Sequence, residues 1–323
     1  MFNPIIKPME IVITDGFTLN PGDISWDNLQ ALGNISYFDR TDAIEIVKNC
    51  INANVIVTNK TIINEDVMDA ATTLKMIAVT ATGYNNIDVT SAKKRGIIVC
   101  NVPTYGTHSV AQHAFALLLH LSNHVGENAA SVANGAWQQS KDWCYSLQPI
   151  IELKDKVLGI IGMGNIGNQL AIIGQAFGMK VIYNGGKKKL AGAEMVSQHE
   201  LFMQSDFISL HCPLTNDNKG FVNKELLGLA KQSAYLINTS RGGLINEKDL
   251  AQMLQQNKIA GAALDVLNTE PPEKNNLLIG LPNCVITPHN AWISVEARKR
   301  IMKTTVENIQ AFINEAPQNI VNK

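Results

Sequence analysis

The feature of this sequence that most constrains its fold is a glycine-rich turn between an apolar run and a segment with helical spacing. The run Val157–Ile161 leads into a G-x-G-x-x-G pattern formed by Gly162, Gly164 and Gly167, and a helix is predicted to follow. In this context the pattern favours dinucleotide binding, because a pyrophosphate can meet the unpaired amides of the helix N-terminus. The predicted contacts are Gly162, Gly164, Asn165, Ile166 and Gly167.

Length and composition exclude several classes of protein. The chain has 323 residues, of which 46% are hydrophobic, and its formal net charge is -1. This length favours two domains, and the small net charge gives no attraction to nucleic acid or to a membrane surface. No apolar run is long enough to span a bilayer. The five cysteines include no C-x-x-C pair, which is typical of reduced thiols, so we expect a cytoplasmic protein.

Two series of short apolar runs alternate with helical stretches, and each series predicts a parallel sheet covered on both faces. We therefore predict an α/β protein with two doubly wound parallel-sheet domains. Strands of the first series are expected at Ile11–Thr14, Ile35–Phe38, Val55–Thr58, Met76–Thr80 and Ile97–Cys100. The second series begins at Val157 and continues at Val181–Tyr183, Phe207–His211, Ala234–Asn238, Gly261–Asp265 and Val285–Thr287.

A long connection separates the two series. An apolar helix is predicted at Ser109–His124, and the polar stretch after it is rich in aromatic residues. Long connections tend to have a function or to pack against something, so we interpret residues 124–150 as a dimerisation arm, with a plain surface loop as the alternative. A last helix, Ser294–Asn314, is expected to pack on the first domain through Ile301, Val306, Ile309, Phe312 and Ile313.

Three ionisable residues follow strands of the second series, where open α/β sheets bind their ligands. Arg241 can hold a carboxylate with parallel hydrogen bonds, and His289 carries an imidazole that titrates near neutral pH. Glu270 can fix the histidine tautomer and stabilise its protonated form. Together these groups suit the transfer of a proton and a hydride to a 2-oxo acid. We predict that Arg241, Glu270 and His289 are the catalytic residues.

The order of several motifs resembles that of the D-2-hydroxyacid dehydrogenase family. The motifs are Gly162–Gly167, Ser209–Thr215, Asn238–Gly243, Ala263–Val266 with Glu270–Pro272, and Thr287–His289. Within the family, Trp137–Trp143 and Asn290–Trp292 most resemble glycerate dehydrogenases, also called hydroxypyruvate reductases. The resemblance implies an NAD(P)-dependent oxidoreductase with the same Arg–Glu–His set. It further implies cofactor contacts at Cys212, Pro213, Thr239, Ser240 and Asp265, the last of these beside the nicotinamide.

The resemblance also extends to the first series of elements. Thr80–Asp88 is similar to the family's substrate loop, which implies that Thr82, Gly83 and Tyr84 bind the substrate together with Arg241 and His289. We expect a flavodoxin-like substrate domain of residues 1–103 and 291–323, and a Rossmann domain of residues 104–290. The active site is expected in a cleft between them.

The nucleotide site departs from the usual NAD pattern. An acid commonly ends the second Rossmann strand and binds the ribose hydroxyls, but Gly185 stands there in this chain, followed by Lys187, Lys188 and Lys189. Without the acid a 2′-phosphate is not repelled, and the lysines attract it. We therefore expect a cofactor contact at Gly185 and Lys187, and NADP(H) is favoured over NAD(H).

Alternatives remain at this point. A dehydrogenase for a larger 2-oxo acid is one, and an NAD(H)-sensing binding protein similar to the family's transcriptional co-repressors is another. His113, His120 and His124 recur at helical spacing, but no H-E-x-x-H pattern accompanies them, so no metal is predicted. The expected partners are a small 2-oxo or 2-hydroxy acid and a second copy of the chain, with no nucleic acid and no membrane.

Overall fold

The computed structural model describes residues 8–323 and separates them into two compact units. One unit comprises the described chain up to Tyr105 together with Ile293–Lys323, and the other is Gly106–Trp292. The sequence places the two crossings two residues earlier, after residues 103 and 290. Residues 1–7, which the sequence assigns to the substrate domain, lie outside the described residues.

The first unit is a five-stranded parallel sheet in the order β2-β1-β3-β4-β5. Strands β3 and β4 are buried at every position and are apolar except at Thr58, as expected for a sheet covered on both faces. Its strands are β1 (Glu10–Ile13), β2 (Asn34–Tyr37), β3 (Val55–Thr58), β4 (Met76–Val79) and β5 (Ile98–Cys100). Its helices are α1 (Gly16–Leu19), α2 (Asp27–Gln30), α3 (Ile46–Cys50), α4 (Glu65–Ala70), α5 (Val89–Lys94) and α12 (Val295–Ile313).

The last helix, α12, packs on the first unit as the sequence predicts. Ile301 and Ile309 are fully buried, and Val306 and Phe312 pack against the core that contains β1 and β4. Ile313, at the end of the helix, was expected in this interface but is 37% exposed.

The second unit is a seven-stranded parallel sheet in the order β12-β11-β10-β9-β6-β7-β8. Chain order reverses between β6 and β9, which is the switch point where such sheets bind ligands. Its strands are β6 (Val157–Ile161), β7 (Lys180–Asn184), β8 (Ala193–Met195), β9 (Phe207–Leu210), β10 (Tyr235–Asn238), β11 (Gly261–Leu264) and β12 (Cys284–Ile286). Its helices are α6 (Thr107–Asn123), α7 (Val125–Ala133), α8 (Asn165–Ala176), α9 (Gln198–Gln204), α10 (Lys224–Leu227) and α11 (Glu247–Gln255).

Two elements of this unit are not predicted by the sequence. β8 has only three residues and includes the charged Glu194, so it carries no apolar run. α7 lies in the stretch that we interpret as an arm, and none of its residues is buried. Both elements lack the buried face that produces a periodic pattern.

The predicted fold class is confirmed, since both units are parallel α/β sheets covered by helices. Among the described residues no helix combines the length and the apolar character that a bilayer span requires.

Candidate active site

The three predicted catalytic residues follow three neighbouring strands of the second unit. Arg241 follows β10, Glu270 follows β11 and His289 follows β12, and these strands are adjacent in the sheet. The carboxyl ends of parallel strands lie along one edge, about 4.8 Å apart from strand to strand. This topology alone brings the three loops together.

Glu270 and His289 form a direct pair. His289 Nδ1 lies 2.5 Å from Glu270 Oε2, and the Leu267 amide donates to Glu270 Oε1 at 2.9 Å. Both side chains are about one-third exposed, at 27% for His289 and 35% for Glu270. The orientation of the Glu270 carboxylate is therefore fixed from two sides. Because this carboxylate accepts from Nδ1 of His289, the Nε2 atom of the ring is left for another partner.

The turn that carries Arg241 is held by its neighbours. The buried Asn238 donates from Nδ2 to the Arg241 carbonyl at 2.9 Å and accepts from the Ser240 amide at 2.9 Å. A Cβ added to Gly242 would lie 2.0 Å from the Leu267 carbonyl carbon, so only glycine permits this approach. Gly242 thus lets the Arg241 turn pack directly on the backbone that leads to Glu270.

One cavity of about 660 Å³ has all three side chains in its lining. The lining includes the uncharged residues Leu214, Gly243 and Val266, and it also includes the positively charged Lys219 and Lys248. The guanidinium of Arg241 is exposed and donates from Nη1 to the Ser240 carbonyl at 2.7 Å. Its other donors point to no acceptor among the described residues, which leaves them available to a carboxylate.

Asp265 is buried and accepts several hydrogen bonds from the turn after β12. Its carboxylate is 1% exposed and accepts from Thr287 Oγ1 at 2.6 Å, the Asn290 amide at 2.9 Å and the Ala291 amide at 2.9 Å. A buried carboxylate with these donors anchors the turn that contains His289. Contact with a nicotinamide remains a prediction.

The glycine-rich turn has the geometry that its sequence pattern predicts. Gly162 has φ of 100°, and a Cβ there would lie 2.7 Å from the Cys212 amide nitrogen. A Cβ at Gly167 would lie 2.3 Å from the Gly162 carbonyl oxygen, whereas one at Gly164 would meet nothing within 4 Å. Two glycines therefore allow close packing, and the third leaves open space before α8, where Asn165 and Ile166 begin the helix. This cradle fits a pyrophosphate.

The end of β7 carries no acidic side chain. Asn184 donates from Nδ2 to the Val196 carbonyl at 2.8 Å, and Gly185 follows with φ of 70° and open space around its missing Cβ. The nearest acidic residue along the chain is Glu194. It lies on β8 and pairs with Ile182, which precedes the end of β7. Lys187 is exposed.

The remaining predicted cofactor residues lie at the ends of β9 and β10. Ser240 donates from Oγ to the Cys212 carbonyl at 2.6 Å, which links the two loops, and Pro213 follows at the exposed side. Thr239 is 8% exposed, and its Oγ1 is buried with no hydrogen-bond partner among the described residues. An orphaned hydroxyl at the carboxyl edge of this sheet fits a site whose ligand supplies the missing partner.

Two side chains near this edge have pKa values shifted by burial. Burial lowers the pKa of His211 to about 4, and its Nε2 lies 2.8 Å from Ser209 Oγ. Burial also raises the pKa of the Cys212 thiol. Both groups are therefore neutral near pH 7 and add no charge to the cofactor site.

The predicted substrate loop lies in the first unit, after β4. Thr82 donates from Oγ1 to the Val102 carbonyl at 2.9 Å, and Asn101 donates from Nδ2 to the Thr82 carbonyl at 2.8 Å. Gly83 is half-buried in the turn, and Tyr84 packs against the apolar core of this unit. The loop is fixed by these contacts, while its role in binding stays a prediction.

Sequence reasoning missed residues that hold the site together. In the sequence, Asn238 and Thr287 only end a predicted strand and begin a motif, yet both fix the loops of Arg241 and His289. His113 was considered only as a metal ligand, but its Nε2 lies 3.1 Å from Thr287 Oγ1. The sequence offered no signal for this contact, because α6 and β12 are separated by more than half the chain.

Known proteins are similar to this chain over most of its length. The family model for the NAD binding domain of D-isomer specific 2-hydroxyacid dehydrogenases matches residues 115–291. The chain is 44% identical to a hydroxypyruvate reductase of Blautia hydrogenotrophica, over 98% of this chain and 100% of the relative. It is 39% identical to a glycerate dehydrogenase of Methylorubrum extorquens, over 86% of this chain and 88% of the relative.

A solved structure agrees with these relatives. It is an NADPH-dependent glyoxylate/hydroxypyruvate reductase from Sinorhizobium meliloti, in complex with NADP and malonate. The similarity has a TM-score of 0.83 and 26% identity, and it covers 98% of this chain and 97% of the solved chain. This chain therefore belongs to the D-isomer-specific 2-hydroxyacid dehydrogenase family, as an NAD(P)-dependent oxidoreductase acting on CH–OH groups.

Proposed function

We propose that this protein reduces hydroxypyruvate and glyoxylate to the corresponding D-2-hydroxy acids, with Arg241, Glu270 and His289 as its catalytic residues. The observation that carries the proposal is the Glu270–His289 pair, which lines the same cavity as Arg241. The names of the relatives, hydroxypyruvate reductase and glycerate dehydrogenase, support this substrate class. The test is a panel of 2-oxo acids, including larger ones, assayed with both reduced nicotinamides.

The residues divide the work of reduction. Arg241 binds the substrate carboxylate through two parallel N–H groups and polarises the adjacent carbonyl. His289 donates the proton on Nε2 to the carbonyl oxygen, while Glu270 on Nδ1 stabilises the protonated ring. A bound nicotinamide supplies the hydride. The amides around Thr82, Gly83 and Tyr84 are proposed to receive the substrate carboxylate as well.

Replacing the proton donor tests its role. We expect His289→Asn to lower kcat by about 10²–10⁴-fold, the contribution usual for a general acid. Asparagine tolerates the left-handed φ of 53° at this position better than most residues, so the turn should keep its shape. Steady-state kinetics measure kcat, and cofactor affinity measured by fluorescence titration should remain unchanged. A variant that keeps wild-type turnover would contradict the assignment.

Removing the negative charge of Glu270 tests the pairing. The carboxylate stabilises protonated His289, which is the proton donor for reduction. In Glu270→Gln the ring loses the carboxylate on Nδ1, so the pH profile of kcat/KM for reduction should shift. The exposed Glu273→Gln in the same segment is the control and should keep the wild-type profile. An unchanged profile in Glu270→Gln rules out the pairing role.

We also propose that the cofactor is NADP(H) in preference to NAD(H). No acidic side chain ends β7, and Lys187 follows Gly185 on an exposed loop. A phosphate on the adenosine ribose gains at least one charge-assisted hydrogen bond there, worth about 1.5 kcal/mol or about tenfold in affinity.

A single substitution should reverse this preference. Aspartate tolerates left-handed φ, and open space surrounds Gly185, so Gly185→Asp adds an acid without a clash. We expect the wild type to favour NADPH by about tenfold or more in kcat/KM, and Gly185→Asp to favour NADH because its carboxylate repels the phosphate. Gly185→Asn has the same shape without the charge and should keep the NADPH preference. A wild-type preference for NADH would defeat the proposal.

We propose further that two copies associate through the segment 124–150. α7 has no buried residue, and the following stretch exposes apolar side chains, including Trp143 at 86% and Ile150 at 59%. Several large apolar side chains exposed along one segment are typical of an interface. A cytoplasmic location is proposed as well, on the basis of five cysteines outside disulfides.

The association predicts a response to charge in this segment. We expect the wild type to sediment as a dimer and Trp143→Asp to sediment as a monomer, because a carboxylate cannot be buried in an apolar interface without a partner. Ile44→Asp is the control, since Ile44 is 91% exposed on the other unit. A monomeric wild type, or a dimeric Trp143→Asp, would contradict the interface.

A further inference from the structure

His113 on α6 reaches the turn that carries the proposed catalytic histidine. Its Nε2 lies 3.1 Å from Thr287 Oγ1 and 3.5 Å from Asp265 Oδ1, and its side chain is only 23% exposed. Nothing in the reaction described above uses this imidazole. A half-buried titratable group in contact with an active-site turn calls for an explanation.

Counting donors and acceptors fixes the direction of each hydrogen bond. Asp265 accepts hydrogen bonds from the backbone amides of Asn290 and Ala291. Since amides can only donate, both carboxylate oxygens act as acceptors. Thr287 has one hydroxyl proton, and the contact of 2.6 Å with Asp265 Oδ1 uses it. Thr287 Oγ1 can therefore only accept from His113, which means that His113 carries a proton on Nε2.

A second contact from the same helix face supports this arrangement. Ser109 donates from Oγ to the Ala291 carbonyl at 2.7 Å. Ser109 and His113 are four residues apart, so they lie one above the other on α6. The helix thus holds the turn at both ends, through His113 at Thr287 and through Ser109 at Ala291.

The turn needs such support because of its backbone conformation. His289 has φ of 53°, a conformation that is unfavourable for a residue other than glycine and persists only where its surroundings fix it. The contacts at Thr287, Asn290 and Ala291 flank this residue on both sides. A loose turn would let the ring of His289 drift from Glu270.

We propose that His113 is a positioning residue for His289. Its Nε2–H donates to Thr287 Oγ1 and so directs the threonine hydroxyl proton toward Asp265. These hydrogen bonds hold the turn so that the His289 ring stays within hydrogen-bond distance of Glu270. The inference rests on the proposed function, because it assigns the consequence of the contact to turnover.

Variants of His113 test the proposal through kcat. We expect His113→Leu to lower kcat about tenfold with little change in KM, because small misplacements of a catalytic group reduce turnover without altering binding. His113→Gln places an amide N–H near the former Nε2 and should restore kcat to within about threefold of the wild type. His120→Leu, on the same helix and equally half-buried, is the control and should match the wild type.

A double-mutant cycle separates positioning from general damage to the fold. Thr287→Val removes the hydroxyl that His113 is proposed to act through, so the losses of His113→Leu and Thr287→Val should be non-additive. The proposal would be overturned if the losses in kcat of the two single variants added in the double variant. It would also be overturned if His113→Leu kept the wild-type kcat, or if His113→Gln failed to restore kcat. Thermal unfolding of each variant shows whether it remains folded.

Nitrogen-15 NMR of the histidines gives a readout that does not depend on turnover. The chemical shift of Nε2 distinguishes a protonated from an unprotonated ring nitrogen, and we expect His113 Nε2 to be protonated in the wild type. An unprotonated Nε2 overturns the proposal even where His113→Leu fails to fold. A wild type that reduces no 2-oxo acid refutes the proposed function instead, so the two failures are distinct.

Discussion

The position of the proposed catalytic histidine depends on the buried carboxylate of Asp265. A charge with 1% exposure is tolerated only where donors surround it, and here the donors are Thr287 Oγ1 and the amides of Asn290 and Ala291. Asp265 directly follows β11, whereas its donors come from the turn after β12, so the interaction joins two neighbouring strand ends. His289 lies inside the segment that is joined, and its left-handed backbone persists because the residues on both sides are fixed.

Close backbone approaches at glycines complete the arrangement around this anchor. Gly167 allows α8 to pack on the turn at Gly162, and Gly242 allows the Arg241 turn to pack on Leu267. In each case a Cβ would lie within about 2.0–2.3 Å of a main-chain atom, which no rotamer change relieves. The glycine-rich turn and the proposed catalytic set thus depend on the same property, the absence of a side chain where two loops meet at the sheet edge.

The sequence predicted those parts of the structure that arise from local pattern. Runs such as Val55–Thr58 and Val157–Ile161 were placed correctly because strands covered on both faces are almost continuously apolar. β8 and α7 were missed because neither has a buried face. At the site, the pairing of Glu270 with His289 was anticipated from chemistry and motif order. The contacts of Asn238 and His113 were not, because hydrogen bonds between distant elements leave no periodic trace in a sequence.

Arg241 is held differently from the other two members of the proposed catalytic set, and this difference has a chemical consequence. Glu270 and His289 are fixed by each other and by main-chain amides, whereas the backbone of Arg241 is fixed but its guanidinium donates only to the Ser240 carbonyl among the described residues. When binding immobilises a flexible side chain, the loss of conformational entropy weakens the complex. A guanidinium already aligned by one hydrogen bond loses less conformational entropy on binding, because its planar group presents the remaining donors together. The Ser240 carbonyl therefore aligns Arg241 for its proposed role, in which the substrate supplies the carboxylate.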